Sequence, residues 1–150
     1  MTLYNNHIYQ YFGLIPDLVK KIDLKKIQSV VGYLISVKRK KGRIFFLGVG
    51  GSAGNCSHAV NDFRKICGIE SYAITDNISE LTARTNDDGW SSIFVEWLKT
   101  SKMRKKDALF ILSVGGGNYN KNVSPNIIEA IKYAKTKKIK IYGITGKKIG

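Results

Sequence analysis

The stretch Phe45-Phe46-Leu47-Gly48-Val49-Gly50-Gly51-Ser52 decides the fold of this chain. An apolar run that breaks into glycines and a serine, just before a helical segment, is typical of a strand that leads into a helix. Glycines let the main chain approach a ligand closely, and the helix predicted to begin near Ala53 presents unpaired N–H donors and a partial positive charge. The stretch therefore predicts a phosphate-binding turn, with a tight structural corner that holds no ligand as the alternative.

The spacing of these glycines excludes two common nucleotide-binding motifs. The dinucleotide fingerprint Gly-x-Gly-x-x-Gly would need a glycine where Ala53 stands, and the P-loop would need a Gly-Lys-Ser/Thr ending that is absent here. The turn thus predicts a phosphate site without predicting a nucleotide.

The apolar pattern around this turn predicts an α/β fold. Helical periodicity over residues 3–41, interrupted near Pro16, indicates two amino-terminal helices. Beyond them, strands predicted at 44–47, 72–74, 108–113 and 139–145 alternate with helices at 53–66, 78–85, 91–99 and 125–135. Such alternation requires crossover connections and a parallel sheet, so we expect a three-layer sandwich of sheet and flanking helices.

Length and composition fit one domain over residues 1–150, divided into amino-terminal helices (1–41) and an α/β core (42–150). We expect no membrane association, because no apolar stretch is long enough to span a bilayer and the amino terminus lacks the layout of a signal peptide. Cys56 and Cys67 lie too far apart on one helix to form a disulfide. A cytoplasmic location is therefore expected.

The formal net charge of +14 arises from basic clusters scattered along the whole chain. They include residues 20–21, 25–26, 38–41, 105–106 and 137–138. Because these clusters fall mostly at predicted helix ends and turns, we interpret them as a solvated surface and expect no specific nucleic-acid partner. The positive field would still attract phosphorylated metabolites.

A second glycine-rich turn follows the strand predicted at 108–113. Ser113 precedes Val114, three glycines and Asn118, which repeats the hydroxyl and bare backbone donors of the first turn. Because carboxyl ends of parallel strands share one edge of a sheet, the two turns are predicted to converge there on a phosphate. The alternative is a flexible connection without a ligand.

These motifs, together with His58, Asp62 and Asn86-Asp87, resemble the sugar isomerase (SIS) domain family of the phosphoheptose isomerase type. The resemblance runs in unbroken order from the amino-terminal helices to Gly150, and it implies a flavodoxin-like sheet topology. Members convert sedoheptulose 7-phosphate to D-glycero-D-manno-heptose 7-phosphate for bacterial surface glycans such as lipopolysaccharide. The family further implies a homotetramer with sites at subunit interfaces, and zinc as a cofactor in many members.

The resemblance assigns substrate-binding roles to both turns. Val49, Gly50, Gly51 and Ser52 take the places of the family's Asn-Gly-Gly turn and the serine that follows it, with valine in place of asparagine. In the second turn, the family has Ser-Thr-Ser around the phosphate. Ser113, Val114 and Gly115 stand at those positions, and Asn118 stands near a further phosphate-contacting serine.

The resemblance also assigns the catalytic groups. His58 and Asp62 take the places of a His-x-x-x-Glu pair that binds metal and supplies the acid/base carboxylate, while Asn86 and Asp87 match a substrate-contacting pair. The two residues of the first pair share a helix face. Taken alone, His58 could equally be a half-buried helix histidine. Because aspartate is one methylene shorter than glutamate, the carboxylate could move on the order of an ångström.

The family's remaining metal ligands, a glutamine and a second histidine, lie on a carboxyl-terminal helix that this sequence lacks. The only other histidine, His7, does not match. We therefore expect either a fragment or a natural truncation with an incomplete zinc site.

The residues support an aldose–ketose isomerisation through an enediol. Asp62 is the predicted base, His58 would hold a metal or polarise the carbonyl oxygen, and Asp87 would orient hydroxyl groups. The alternative is a noncatalytic SIS module that binds a phosphosugar or scaffolds a protein partner, as in the related protein that binds the bacterial replication initiator.

Overall fold

The computed structural model describes residues 3–147, which divide into two compact units with a boundary between Gly32 and Tyr33. Its helices are α1 (Leu3–Lys20), α2 (Leu24–Arg39), α3 (Gly51–Lys65), α4 (Ile78–Asp88), α5 (Ile93–Thr100) and α6 (Pro125–Thr136). Its strands are β1 (Ile44–Leu47), β2 (Ser71–Ala73), β3 (Ala108–Ser113) and β4 (Lys140–Thr145). A single 3₁₀ turn, Ile74–Asp76, follows β2.

The first unit contains α1 and the beginning of α2. Two helices are confirmed, but the predicted break near Pro16 is wrong, because this proline lies inside α1. The first helix ends at Lys20 instead. There the carboxylate of Asp23 accepts hydrogen bonds from the backbone N–H groups of Lys25 and Lys26 at 3.0 and 3.2 Å. This cap fixes the start of α2, which the apolar periodicity could not locate.

The second unit is built on a four-stranded sheet in the order β2-β1-β3-β4, with all neighbouring strands parallel. This order is that of the flavodoxin-like sheet, so the predicted fold class is confirmed. Every crossover between strands contains at least one helix, as parallel pairing requires. The carboxyl ends of all four strands therefore lie along one edge, and their amino ends along the other.

Two hydrophobic cores cover the two faces of the sheet, which makes the three-layer arrangement. Because side chains alternate along a strand, Phe45 and Leu47 face one core, whereas Ile44 and Phe46 face the other. The first core contains buried residues of α5 and α6, and the second contains buried residues of α3 and Val37 of α2. All four residues of β1 are buried, as expected of a central strand.

A buried ion pair joins the amino ends of β1 and β3. The Arg43 guanidinium donates to the Asp107 carboxylate at 2.8 Å, and the Arg43 backbone N–H donates to the same carboxylate at 3.0 Å. The backbone N–H of Arg104 supplies a further bond of 2.8 Å. The carboxylate, which is fully buried, is thus surrounded by donors.

Several helix boundaries differ from the predicted ones. Helix α3 begins at Gly51 rather than near Ala53, and α4 extends to Asp88 rather than ending at Thr85. Helix α4 ends at Gly89, whose φ of 81° favours glycine, so this residue sets the end of the helix. As a result Asn86 and Asp87 are helical. No helix among residues 3–147 has both the length and the apolar character that crossing a bilayer requires.

Candidate functional site

The turn between β1 and α3 is held close to its own helix by Gly48. A Cβ atom at this position would lie 2.5 Å from the backbone oxygen of Ser52, so no larger residue fits without movement of the main chain. Gly50 has a φ of 60°, a conformation that side chains rarely adopt. Both glycines are therefore required by the backbone path itself.

Above this turn the backbone donors face open space. The N–H groups of Gly50 and Gly51 have no hydrogen-bond acceptor within the part of the chain that the structure describes, whereas those of Ser52 and Ala53 bond back to Val49 and Gly50. A Cβ atom at Gly50 or Gly51 would touch nothing within 4 Å. Two free donors at a helix start, with room in front of them, can accommodate an anionic oxygen.

The second turn, after β3, differs from the prediction in one respect. Ser113 was expected to present an exposed hydroxyl, but it is 8% exposed, and its oxygen accepts a hydrogen bond of 3.1 Å from the backbone N–H of Gly116. The glycines that follow, Gly116 and Gly117, have φ values of 73° and 90°. Ser113 therefore shapes this loop, and its hydroxyl proton remains available to a ligand.

Beyond these glycines the loop folds into a small hairpin. Asn118 and Val123 pair through backbone hydrogen bonds of 2.9 and 2.8 Å, and the Asn118 side chain accepts from the backbone N–H of Lys121 at 3.0 Å. The Asn118 side-chain oxygen is thus used to fix the hairpin. The residue does not line either cavity of the site, and its place near a phosphate stays a prediction.

Two adjoining cavities join the turns at the carboxyl edge of the sheet. The larger, of about 400 Å³, lies between the start of α3, the end of β3 and the end of β4; the smaller is about 200 Å³. Both are lined by Ser52, Ser113 and Val114, and the smaller also by Val49 and Gly115. The predicted convergence of the two glycine turns on one place is therefore observed.

His58 and Asp62 lie next to each other on α3, with 3.3 Å between His58 Nε2 and Asp62 Oδ2. The histidine side chain is 77% exposed, so it is not the half-buried helix histidine of the alternative interpretation. Neither residue lines the two cavities. They continue a polar row along α3, because Ser52, Asn55, His58 and Asp62 follow one another at spacings of three or four residues.

Asn86 and Asp87 are also outside the two cavities. Both are exposed on the last turn of α4, where the Asn86 amide donates to the Asp87 carboxylate at 2.8 Å. This hydrogen bond orients the pair. The single chain does not bring it to the glycine turns, so a substrate-contacting role for Asn86 and Asp87 stays a prediction.

The donor set near α3 does not complete a zinc site. Zinc in proteins takes three or four protein ligands, and His58 and Asp62 supply two. No group of three or more histidine, cysteine, aspartate and glutamate side chains suited to a metal occurs among residues 3–147. The described residues of a single chain thus do not complete a zinc site.

Cys56 lies beneath the polar row and is unsuited to chemistry. Burial raises the pKa of its thiol to about 11, with a further contribution from the charge of Asp76, so the thiol is protonated at neutral pH. The Asp76 carboxylate accepts a hydrogen bond of 2.5 Å from Ser57. This contact ties the 3₁₀ turn after β2 to α3.

Two polar residues of the site were not predicted. Asn55 lines the larger cavity because it lies one helical turn beyond Ser52, a relationship that the helix period could have indicated. Ser124 lines the smaller cavity as the residue before Pro125 at the start of α6, a serine–proline signal for a helix beginning. The side chain of Ser124 forms no capping hydrogen bond, so its hydroxyl can face a ligand.

The SIS domain profile matches residues 10–146, which is most of the chain. The fold and the paired glycine turns define an α/β domain with a candidate anion site at the carboxyl edge of its sheet, and the chain belongs to the SIS domain family.

Within that family the chain is similar to phosphoheptose isomerases. It is 30% identical to the one from Rhodospirillum rubrum, over 80% of this chain and 63% of the relative. It is 33% identical to the one from Aneurinibacillus thermoaerophilus, over 82% of this chain and 61% of the relative. The match therefore spans less than two thirds of the length of either curated relative.

Two solved structures of phosphoheptose isomerases have a fold similar to that of this chain. The phosphoheptose isomerase of Neisseria gonorrhoeae superposes with a TM-score of 0.84 at 25% identity, covering 99% of this chain and 78% of that one. That of Francisella tularensis gives a TM-score of 0.85 at 20% identity, covering 100% and 78%, and shows the fold alone.

Proposed function

We propose that this chain is the SIS domain of an aldose–ketose isomerase that converts sedoheptulose 7-phosphate to D-glycero-D-manno-heptose 7-phosphate. The observation that carries the proposal is the convergence of two glycine turns, with Ser52 and Ser113, on adjoining cavities at the carboxyl edge of a SIS-domain sheet. The product would serve the heptose of bacterial surface glycans such as lipopolysaccharide. The relatives named above support the choice of a heptose phosphate.

In this proposal the cavities bind the phosphate, and the polar row of α3 reaches toward the reacting carbons. Ser52 and His58 lie six residues apart, which is about 9 Å along a helix axis. That separation suits an extended heptose phosphate whose phosphate lies at the glycine turn and whose carbonyl lies near His58. Binding of the remote phosphate then positions the carbons that react.

Asp62 is the proposed base. Its carboxylate removes the proton from the carbon beside the ketone, the electron pair of that C–H bond forms the enediol double bond, and the carbonyl oxygen gains a proton. Return of that proton to the former carbonyl carbon, while the hydroxyl on the first carbon gives up its own proton to the group that protonated the carbonyl oxygen, leaves an aldehyde. His58, 3.3 Å from Asp62, would hold the carboxylate in place and donate toward the oxygen that becomes negative. Asn86 and Asp87 would orient hydroxyl groups of the sugar.

A homotetramer would place further residues at this site. On α1, side chains that are 46–61% exposed recur at spacings of four and three residues, namely Ile8, Phe12, Ile15 and Val19. This is the heptad spacing by which helices pack against one another. We propose that a second copy of the chain covers this seam.

A zinc ion at His58 and Asp62 would need at least one more ligand, which a second copy could supply. The two cysteines are free, in keeping with the cytoplasmic location that we propose.

A noncatalytic phosphosugar-binding or scaffolding module is the second candidate. It is favoured by the valine at position 49 and by the hydrogen bond of Ser113 to Gly116, since both reduce the number of side-chain groups free to contact a sugar. The exposed His58–Asp62 pair favours the enzyme instead. Proton exchange at the carbon beside the ketone distinguishes the isomerase from the noncatalytic module, because only the isomerase removes that proton.

The test follows sedoheptulose 7-phosphate by proton NMR in deuterated buffer, with and without added zinc. We expect deuterium to enter at the carbon beside the ketone, and Asp62→Asn to slow this exchange by about 10²–10⁴-fold. Asp88→Asn removes an exposed carboxylate that has no proposed role, and it should exchange at the native rate. Saturable binding of the sugar phosphate without any exchange would overturn the isomerase and leave the binding module.

A further inference from the structure

The basic clusters that are scattered in sequence meet at one place in the fold. Lys40 follows α2, Lys105 and Lys106 precede β3, and Lys138 and Lys140 lie at the start of β4. Because β1, β3 and β4 are parallel, the segments that lead into them lie at the same edge of the sheet. Four lysines of the clusters, Lys40, Lys105, Lys106 and Lys138, are thus gathered with Lys140 around one cavity.

These five lysines, which we call the lysine basin, line a cavity of about 370 Å³ together with Tyr33. Two contacts hold the side chain of Tyr33 in place, one through its hydroxyl and one through its ring. Its hydroxyl donates to the backbone oxygen of Asp107 at 3.2 Å, and its ring lies 5.2 Å from that of Tyr142. The basin thus has an ordered aromatic wall.

No carboxylate of residues 3–147 lies within ion-pair distance of any lysine of the basin. The nearest acidic residue in sequence, Asp107, is buried and already bonded to Arg43 and Arg104. Neutralisation of helix ends explains only part of the pattern. Lys40 and Lys138 follow the ends of α2 and α6, but Lys105, Lys106 and Lys140 do not follow a helix directly. Five lysines that line one cavity without a carboxylate partner make a site for an anion.

The size of the basin indicates the kind of anion. A cavity of about 370 Å³ lies in the range of small-molecule sites, whereas a nucleic acid needs a groove that continues along its backbone. Lysine binds phosphate as a point charge, and five lysines exceed what a single phosphate group can contact closely. We infer that the lysine basin binds a compact polyanion carrying two or more phosphate groups, such as tripolyphosphate or a nucleoside triphosphate.

This site is separate from the candidate active site. Lys140 and Thr145 lie at opposite ends of β4, about 16 Å apart, and they line the basin and the larger carboxyl-edge cavity respectively. The inference therefore does not depend on the proposed isomerase, whose substrate carries a single phosphate.

The test measures binding of inorganic tripolyphosphate by calorimetry in the presence of saturating sedoheptulose 7-phosphate. We expect saturable binding, and a loss of affinity of about tenfold or more in both Lys105→Gln/Lys106→Gln and Lys138→Gln/Lys140→Gln. The control Lys21→Gln/Lys25→Gln removes the same charge from exposed positions that do not line the basin, and it should bind within about twofold of the native protein. Two separate lysine pairs keep the test decisive if one variant is unstable.

Four outcomes would overturn the inference. They are the absence of binding to the native protein, equal weakening in all three double variants, orthophosphate binding as tight as that of tripolyphosphate, and tighter, lysine-dependent binding of a 20-base-pair DNA duplex. Comparison of ATP with AMP and tripolyphosphate then shows whether the Tyr33 wall contributes to affinity. Stronger binding of ATP than of tripolyphosphate would identify a nucleotide, and equal binding a phosphate chain alone.

Discussion

The guanidinium of Arg43 lies 2.8 Å from the fully buried carboxylate of Asp107, and the two residues join the starts of the two central strands. Removing one partner leaves the other buried without its counterion, which is among the costliest single changes in a protein interior. We predict that Asp107→Ala lowers the free energy of unfolding by about 3–5 kcal/mol, measured by urea denaturation. Glu96→Gln breaks the surface pair with Lys99 and should change it by less than about 1 kcal/mol. Equal losses in the two variants would contradict this account.

Gly48 makes a sharp prediction for the first turn. In Gly48→Ala the new methyl group would lie 2.5 Å from the Ser52 backbone oxygen, so the turn must move. Its free N–H groups would then no longer point toward the bound anion. We expect a loss of about 1–3 kcal/mol in stability, together with weaker binding of the sugar phosphate. Gly54→Ala is the matched control, because its Cβ atom would meet nothing within 4 Å. That variant should be stabilised by up to about 1 kcal/mol. Gly48→Ala with native stability and affinity would show that the turn tolerates a side chain.

Stability should fall in alkaline solution because of Cys56. Burial raises the pKa of this thiol from 9.0 to about 11, so the unfolded chain loses a proton between these values that the folded chain keeps. The contribution of the protonated thiol is therefore complete below pH 9 and is lost as the pH rises toward 11, by about 2 kcal/mol. Urea denaturation between pH 8 and 10.5 should show this slope in the native protein and in Cys67→Ala, but a smaller one in Cys56→Ala. Burial also raises the pKa of Tyr33, which affects all three proteins and cancels in the difference. Identical slopes would refute the assignment to Cys56.

Lys138 should show opposite effects on stability and binding. It has a φ of 55° just beyond α6, where glycine is the favoured residue. We expect Lys138→Gly to stabilise the fold by about 1 kcal/mol while weakening tripolyphosphate binding. Lys137→Gly, at a φ of −86° and outside the basin, should give neither effect. Unchanged tripolyphosphate affinity in Lys138→Gly would exclude this lysine from the site.

The apolar seam of α1 predicts the oligomeric state. Ile15 lies in the middle of the heptad series, so Ile15→Glu should dissociate the assembly by placing a charge in a helix interface. Tyr9→Glu changes an exposed residue outside the series and should leave the mass unchanged. Light scattering after size-exclusion chromatography measures both. A native protein that is monomeric at micromolar concentration would rule out the seam as an interface.

Much of the fold could be predicted because its signals are local. The apolar run 44–47 and the alternation of apolar strands with amphipathic helices indicate a parallel sheet. Both ends of two strands, Ile44–Leu47 and Ala108–Ser113, were predicted to the residue. Helix ends were less accurate, because they depend on caps such as Asp23 and on the left-handed glycine at position 89, which periodicity does not report.

The candidate site was predictable only in part. The sequence could predict that the two glycine turns lie at one edge of the sheet, because this follows from the parallel direction of the strands that precede them. It could not show that the Ser113 hydroxyl is engaged by Gly116, or that the Asn118 side chain stabilises a hairpin, because both depend on the path of an irregular loop. The gathering of five lysines was missed for a similar reason. The linear order of the clusters hides the common edge to which parallel strands return them.

The parallel arrangement of strands has one further electrostatic consequence. Helices α3 and α6 begin near the carboxyl edge of the sheet and end toward the amino edge, so their aligned peptide dipoles would make the first edge positive and the second negative. The five lysines of the basin lie at the second edge and oppose its negative helix ends with positive charge. Phosphorylated molecules would be steered toward both ends, at rates that fall as salt is added.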